Sequence, residues 1–301
     1  MSRGSLTTPP LGRRYDVGGR RLMLHRSGTG QPAVVFLPGA ALVGLDYVRV
    51  HERVAELTTS VIYDRAGTGW SDPAPLPRTA AEVTGELRDL LRAAGPPAPY
   101  VLAGHSLGGA YARHFAQRFP GEVAGLLLLD PFHEDLVARA PRQAREMLAK
   151  MKDPDLPEPT EEQLERSRAV LDGHFAAWPD PVRGPLVEHH LSAWRTGWHE
   201  SRNLYDEVAG ELRHGADLPD VPTIVLTALG HDATQAQLWP ESLLSEINKT
   251  KHALHASLAA SVPRGEHHAL EDAGHGWIHE ERPDAVLQAI TDLLERAGGR
   301  P

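Results

Sequence analysis

The segment Gly104-His105-Ser106-Leu107-Gly108 constrains the fold of this chain more than any other feature. It directly follows the apolar run at 100–103 and precedes apolar residues that recur at helical spacing until Pro120. A serine at a sharp strand-to-helix turn has a strained backbone, and a side chain two residues before or after it would collide with its surroundings. The two glycines avoid those collisions because they lack a Cβ atom. The pattern therefore predicts a strand, a tight turn that exposes the Ser106 hydroxyl, and a helix.

Short apolar runs alternate with helical patterns on both sides of this turn. Most of these runs are nearly continuous, which is typical of strands in a parallel sheet covered on both faces. A capping box at 79–82 followed by Gly95 delimits one helix, and Pro283 begins the last. This order predicts the α/β class with a doubly wound, mostly parallel sheet, in which ligands bind beyond the carboxyl ends of the strands. The predicted strands are at 22–25, 33–37, 61–63, 100–103, 125–129, 223–227 and 267–270.

Four motifs together resemble the α/β-hydrolase fold, and the resemblance runs from about Tyr15 to Leu294. Residues 34–40 resemble its oxyanion strand and loop, 61–72 its next strand and glycine-punctuated turn, and 273–277 its histidine loop. Many members have His-Gly where this chain has Pro-Gly at 38–39, which changes the stiffness of the loop but not the donor. Because this fold supports many activities, the resemblance implies a hydrolase more firmly than it implies a substrate.

The resemblance implies that Ser106 is a nucleophile and that His275, in a glycine-flanked loop between the last strand and the last helix, is its base. Two aspartates could orient His275. Asp232 follows the strand at 223–227, and Asp130 ends the strand at 125–129. The chain order Ser…Asp…His fits both, so both stay open. We favour Asp232, because an aspartate at a strand end such as Asp130 is also common as a loop anchor.

The oxyanion formed during acyl transfer needs backbone donors close to the nucleophile. By the same resemblance, the backbone N–H groups of Ala40 and Leu107 are expected to supply them.

Residues 133–218 break the alternation of strands and helices, because they are charged, helix-like and interrupted by proline clusters. A structureless loop of that length is unusual in a compact domain, so the segment is expected to be a helical cap over the site. The predicted organisation is therefore a hydrolase core at 1–132 and 219–301 with a cap inserted at 133–218. Trp178, Trp194 and Trp198 within the cap are expected to line an apolar substrate pocket. Core packing of the cap is the alternative role for these side chains.

Composition excludes several other classes of protein. The 301 residues carry a formal net charge of −9, whereas a nucleic-acid partner calls for a basic face. No apolar run reaches membrane-spanning length, and the first ten residues lack the apolar core of a signal peptide, so a cytoplasmic protein is expected. The chain has no cysteine and no H-E-x-x-H pattern, so neither disulfides nor a metal site are expected. Most other histidines, including His189 and His190, are expected at solvated helix positions.

These observations predict hydrolysis of a carboxylic ester of a small, apolar substrate without an organic cofactor. Thioesterase, lactonase, amidase and carbon–carbon bond hydrolase activities are the related alternatives. Epoxide hydrolases and haloalkane dehalogenases of this fold need a carboxylate at the position of Ser106, so both are disfavoured. A non-catalytic ligand receptor is the alternative from a different class. The sequence does not give the oligomeric state.

Overall fold

Buried strands alternate with helices through most of the chain, as the apolar runs predict. The computed structural model describes residues 8–150, 157–230 and 240–298. Within these ranges the strands are β1 (Arg13–Val17), β2 (Arg20–Ser27), β3 (Ala33–Leu37), β4 (Ser60–Tyr63), β5 (Tyr100–His105), β6 (Val123–Leu129), β7 (Thr223–Ala228) and β8 (Gly265–Leu270).

All eight strands form one sheet in the order β1-β2-β4-β3-β5-β6-β7-β8. The pairs β1–β2 and β2–β4 are antiparallel, and every other pair is parallel. The predicted doubly wound, mostly parallel sheet is therefore confirmed. β1 is an addition to the prediction. It pairs with β2 across a turn in which Gly18 and Gly19 both have positive φ, at 62° and 87°.

Helices connect and flank these strands. They are α1 (Val48–Ala55), α2 (Ala80–Ala94), α3 (Leu107–Arg118), α4 (Leu136–Arg139), α5 (Arg142–Lys150), α6 (Glu161–His174), α7 (Asp180–Ser192), α8 (Thr196–Ser201), α9 (Ala209–His214), α10 (Glu241–Ala260), α11 (Ile278–Glu281) and α12 (Pro283–Arg296). Short 3-10 turns cover Gly44–Tyr47, Pro120–Glu122 and Phe175–Ala177, and a π-helical turn covers Leu204–Val208.

The capping signals read from the sequence act as predicted on α2. Thr79 Oγ1 accepts a hydrogen bond from the Glu82 amide, and a Glu82 carboxylate oxygen accepts one from the Thr79 amide, each at 3.0 Å. Gly95 ends the helix in the left-handed conformation, with φ at 92°. Thr79, Glu82 and Gly95 therefore cap α2 locally, and the distant Glu211 accepts from the Ala80 and Ala81 amides as well.

Successive residues of each central strand pack on opposite faces of the sheet, as the strand period requires. On one face, Val35 and Leu102 join a buried cluster with residues of α2 and α3. On the other face, Val34 and Val101 join a second cluster with residues of α1 and α12. The sheet is thus covered on both sides, which explains why its strands are nearly continuous apolar runs.

The segment between β6 and β7 is helical, and several of its buried side chains belong to the same two clusters as the sheet. Leu204 and Leu212 join the first cluster, and Phe175 and Leu186 join the second. The division of the chain into a core and a separate cap at 133–218 stays a prediction. None of the helices in the described ranges has the length and apolar character needed to cross a bilayer.

His189 and His190 are not at solvated positions, which corrects the expectation from the sequence. His189 is buried, and its ring lies 5.5 Å from that of Trp70. His190 Nε2 lies 2.8 Å from a carboxylate oxygen of the fully buried Asp46. A helical pattern identifies a helix, but it does not show which neighbour will cover each of its faces.

Candidate active site

Ser106 lies at the sharp turn between β5 and α3. Its backbone has φ at 51° and ψ at −117°, a conformation that a residue with a side chain rarely adopts. A Cβ atom on Gly104 would lie 2.5 Å from the Gly108 carbonyl oxygen, and one on Gly108 would lie 2.0 Å from the Leu37 carbonyl oxygen. Both contacts are too short for real atoms, so the two glycines permit this turn. Ser106 consequently lies half-buried at the carboxyl end of the sheet, where it lines a cavity.

His275 lies in the loop after β8 and contacts Ser106 directly. Its Nε2 atom is 3.0 Å from Ser106 Oγ, and its Nδ1 atom is 2.5 Å from Asp130 Oδ2. An ionised carboxylate can only accept a hydrogen bond, so His275 Nδ1–H donates to Asp130 and Nε2 accepts from the Ser106 hydroxyl. This is the tautomer that a base acting on Ser106 needs.

Asp130 directly follows β6, and three groups donate hydrogen bonds to its carboxylate. Its Oδ1 atom accepts a hydrogen bond from the Ala228 amide at 3.0 Å, and Oδ2 also accepts one from Lys251 Nζ at 2.8 Å. Burial alone would raise the pKa of Asp130, but the Lys251 ammonium and the hydrogen bond from His275 hold it well below its usual range. Asp130 therefore stays ionised beside His275.

The structure thus brings Asp130 to His275, although the sequence favours Asp232. Asp232 lies outside the described residues. The sequence favours Asp232 because an aspartate in the position of Asp130 often only anchors a loop. Asp130 does anchor Ala228 through Oδ1, while Oδ2 contacts His275 and Lys251 at the same time. The anchoring role and the contact with His275 are therefore compatible in one carboxylate.

The loop after β3 presents one free amide to the site. The amides of Gly39, Ala41 and Leu42 donate to the Tyr47 hydroxyl, a Glu200 carboxylate oxygen and the Gly39 carbonyl oxygen, respectively. No hydrogen bond joins the Ala40 amide to another described residue, and the same holds for the Leu107 amide at the first turn of α3. Within the described residues, the two amides predicted as oxyanion donors therefore have no protein acceptor.

Ser106, Asp130 and His275 open onto a cavity of about 470 Å³. Apolar and aromatic side chains make up much of its wall, among them Phe132, Leu136, Trp194, Trp198, Leu204 and Tyr205. Trp194 and Trp198 therefore line the cavity, as the sequence predicts. Trp178 does not. Its indole N–H donates to the Leu45 carbonyl oxygen at 3.1 Å, and its ring packs edge-on against Phe175, so it is a packing residue of the second cluster.

Tyr47 and His105 lie behind the site and connect two of its loops by hydrogen bonds. The sequence analysis did not single out either residue in this role. His105 Nε2 lies 2.7 Å from the His275 carbonyl oxygen, which can only accept, so Nε2 carries the proton. His105 Nδ1 then accepts from the Tyr47 hydroxyl at 2.8 Å. Because the Tyr47 oxygen also accepts from the Gly39 amide, one chain of hydrogen bonds connects the loop after β3 with the histidine loop.

The described site residues do not form a cluster of the kind that binds a metal ion. In the parts of the chain that the structure describes, no group of three or more His, Cys, Asp or Glu side chains is arranged to hold a metal ion. What the site does hold is a hydroxyl, an imidazole and an ionised carboxylate in hydrogen-bonded series. That series has the groups needed to activate an alcohol oxygen as a nucleophile.

Comparison with known proteins agrees with this fold. Residues 34–289 match the family model described as "Alpha/beta hydrolase family". The chain is 32% identical over 269 residues to the pimeloyl-[acyl-carrier protein] methyl ester esterase of Chromobacterium violaceum, covering 88% of this chain and 87% of that protein. It is 31% identical over 236 residues to the lipase LipV of Mycobacterium tuberculosis, covering 76% and 85%. A match to the uncharacterized protein YbdG of Bacillus subtilis, 27% identical over 117 residues, spans only 36% of that protein's length.

A solved structure shares the fold at lower sequence identity. The enol-lactonase from Burkholderia xenovorans LB400 superposes with a TM-score of 0.63 at 20% identity, over 94% of this chain and 99% of that one. The family model spans most of the chain, and the esterase from Chromobacterium violaceum matches nearly all of it. The chain therefore belongs to the alpha/beta hydrolase family.

Proposed function

We propose that the protein is a serine hydrolase that cleaves a carboxylic ester of a small, largely apolar substrate. One observation carries this proposal: the continuous series from Ser106 Oγ through the His275 ring to Asp130, with spacings of 3.0 and 2.5 Å, opens onto an apolar cavity. The similarity to a methyl ester esterase and a lipase supports an ester over other acyl compounds.

In this proposal His275 Nε2 takes the proton of Ser106 as Oγ attacks the ester carbonyl carbon. The carbonyl oxygen gains negative charge, and the Ala40 and Leu107 amides stabilise it without reorganising. His275 then returns the proton to the leaving alcohol, and an acyl group remains on Ser106. A water molecule activated by His275 attacks that acyl group and releases the carboxylic acid and the free serine.

Asp130 has an orienting role in this mechanism. It holds the His275 tautomer with the proton on Nδ1 and stabilises the imidazolium that forms in each half of the reaction. It does not accept the proton outright. The cavity wall, including Trp194 and Trp198, is proposed to bind the acyl chain.

The proposal is tested with p-nitrophenyl esters of graded acyl length on the wild type and on Ser106→Ala. The variant is expected to keep the fold and to lose hydrolysis, because the change removes only one hydroxyl at the cavity wall. Ser192→Ala is the matched control, since Ser192 is exposed on α7 and its hydroxyl donates to the His189 carbonyl oxygen within the same helix. A folded Ser106→Ala protein with wild-type turnover would contradict the proposal.

A further inference from the structure

A buried ion pair lies behind the loop formed by residues 38–42, which we name the oxyanion loop. Arg65 follows β4, and Glu200 lies on α8, 135 residues further along the chain. The Arg65 guanidinium contacts Glu200 Oε1 at 2.8 Å, and the two side chains are only 2% and 4% exposed. Neither residue lines the cavity beside Ser106. The pair can therefore act on a substrate only through other residues.

Arg65 binds two consecutive carbonyl groups of the oxyanion loop. Its Nη1 donates to the Pro38 oxygen at 2.6 Å, and its Nη2 donates to the Gly39 oxygen at 2.9 Å. The peptide between Gly39 and Ala40 is trans, so its carbonyl and its N–H point in opposite directions. By holding the Gly39 oxygen, Arg65 turns the Ala40 N–H away from itself and leaves it free beside the cavity.

Glu200 holds the other side of Ala40. Its Oε2 accepts a hydrogen bond from the Ala41 amide at 3.0 Å, while its Oε1 is bound by Arg65. Ala41 has φ at 67°, a conformation that favours glycine, so the loop needs such a partner to keep this shape. Helix α8 also packs directly on the loop, since a Cβ atom on Gly197 would lie 2.6 Å from Ala41 Cβ.

A purely stabilising role would not explain this arrangement. Replacing a buried ion pair by apolar residues of similar size is often neutral for stability, because desolvation offsets the attraction. Apolar residues, however, cannot bind two carbonyl groups and one amide of the same loop. The ion pair therefore differs from an apolar replacement in one respect: it fixes the orientation of three consecutive peptide groups of the oxyanion loop.

We propose that Arg65 and Glu200 are positioning residues that aim the Ala40 N–H at the oxyanion. This inference rests on the proposed function, because it assigns the pair to the acyl-transfer step at Ser106. It also means that α8, which lies between β6 and β7, completes the oxyanion site of the sheet. Contact of α8 with the oxyanion loop is then a requirement for catalysis.

The test is the double variant Arg65→Met/Glu200→Leu, which removes both charges together and leaves no unpaired buried charge. The matched control is Arg113→Met/Glu134→Leu. Arg113 binds both carboxylate oxygens of Glu134 at 2.7 and 2.8 Å, and within the described residues neither side chain of this second pair bonds to the oxyanion loop. Four quantities are measured: kcat, KM, and the inhibition constants of a trifluoromethyl ketone and of the methyl ketone with the same chain. Ser106 Oγ adds to the carbonyl carbon of the trifluoromethyl ketone, the serine proton passes to His275, and the ketone oxygen becomes an oxyanion. The methyl ketone reports binding alone.

The loss of one oxyanion donor typically lowers kcat by about 10²–10³-fold, so a drop of that order is expected in the double variant with KM unchanged. Its affinity for the trifluoromethyl ketone should fall in parallel, and its affinity for the methyl ketone should not. The control should keep the wild-type kcat. A folded double variant with wild-type kcat, a rise in KM alone, or an equal loss of kcat in the control would overturn the inference.

Glu200→Gln keeps the inference testable if the double variant does not fold. A carboxylate accepts from Arg65 with one oxygen and from Ala41 with the other, whereas an amide has only one oxygen to offer. We expect a smaller loss of kcat than in the double variant, with the same split between the two ketones. Unchanged kcat in Glu200→Gln would contradict the inference. A wild-type protein that hydrolyses no ester and is not labelled at Ser106 would instead contradict the proposed function and this inference with it.

Discussion

At the scale of single residues, backbone strain is concentrated at the site. In the described part of the chain, the non-glycine residues with positive φ are Ala41, Ser106 and Asp130, at 67°, 51° and 42°. All three line the same cavity. A residue in such a region typically costs about 1–3 kcal/mol, and it persists only where the surrounding structure determines it. The strained positions are therefore adjacent to the groups for which we propose catalytic roles.

Asp130→Asn tests the orienting acid. The amide keeps the size of the side chain but cannot hold the His275 tautomer, and the analogous change in a serine protease lowers kcat by about 10⁴-fold. We expect a loss of that class in steady-state ester hydrolysis, measured on protein whose folding is checked by thermal unfolding. Asp232→Asn is made in parallel. If Asp232→Asn silences the folded enzyme and Asp130→Asn does not, the assignment to Asp130 is wrong.

The sequence singles out Ser106 and His275, which the structure brings into contact, but its preference for Asp232 over Asp130 rests on no contact that a local pattern can show. Ser106 and His275 lie in local motifs whose glycines are dictated by backbone geometry. Asp130 follows β6 and Asp232 follows β7, and these strands are parallel neighbours in which Leu129 pairs with Leu226. Both strands end at the same edge of the sheet, so position along the chain does not separate them. The contacts that orient Asp130 come from Ala228 and from Lys251 on α10, which no local pattern relates to β6.

At the scale of elements, the segment between β6 and β7 places some of its aromatic side chains in the cavity wall and others in the core. Trp198 lines the cavity, whereas Trp178 is buried against Phe175 and Leu45. Trp198→Ala is expected to raise KM most for the longest acyl chains, by roughly ten-fold, because each buried CH₂ contributes about 0.8 kcal/mol. Its kcat for acetyl esters should change little. The measurement is KM across an ester series in the wild type and in the variant.

Trp178→Ala is the matched comparison, and its effect should fall on stability. Removing a buried tryptophan typically lowers the free energy of unfolding by about 3–5 kcal/mol, which denaturant titration measures directly. The dependence of KM on acyl length should remain as in the wild type. Equal effects of the two variants on that dependence would show that Trp198 does not contact the acyl chain selectively.

The sequence predicts the buried strands of the sheet better than it predicts the edge strand β1 or the contacts between distant elements. Parallel strands are buried on both faces, so their apolar runs are visible in the sequence. β1 was missed because it lies at the edge of the sheet, where its exposed face carries polar residues such as Arg13. The contact between α8 and the oxyanion loop was also missed. It depends on Gly197 and Glu200 meeting residues about 160 positions earlier in the chain.

At the scale of the whole molecule, buried histidines make stability depend on pH. Burial lowers the pKa of His51 and of His255 to about 3, and that of His189 to about 4. An unfolded histidine binds its proton below about pH 6.5, whereas these folded ones stay neutral to much lower pH. The free energy of unfolding should therefore fall with decreasing pH below 6.5, by about 1.4 kcal/mol per pH unit for each histidine.

His51→Leu isolates one of these contributions. His51 lies on α1, away from the cavity, and its Nδ1 bonds the Ser60 hydroxyl at 2.8 Å. Denaturant titrations between pH 7 and pH 5 should give a smaller slope of stability against pH in the variant than in the wild type. The difference expected is about 1.4 kcal/mol per pH unit below pH 6. Identical slopes would mean that His51 is not held neutral in the folded protein.

The central claim is that Ser106, activated by His275, forms a covalent acyl intermediate. A fluorophosphonate reacts with such a serine and leaves a stable adduct, which intact-protein and peptide mass spectrometry locate. We predict one adduct per chain on the peptide containing Ser106 in the wild type and in Ser192→Ala, slow labelling in His275→Ala, and none in Ser106→Ala. An unlabelled wild type that is folded, or an adduct on another residue with Ser106 unmodified, would contradict the claim.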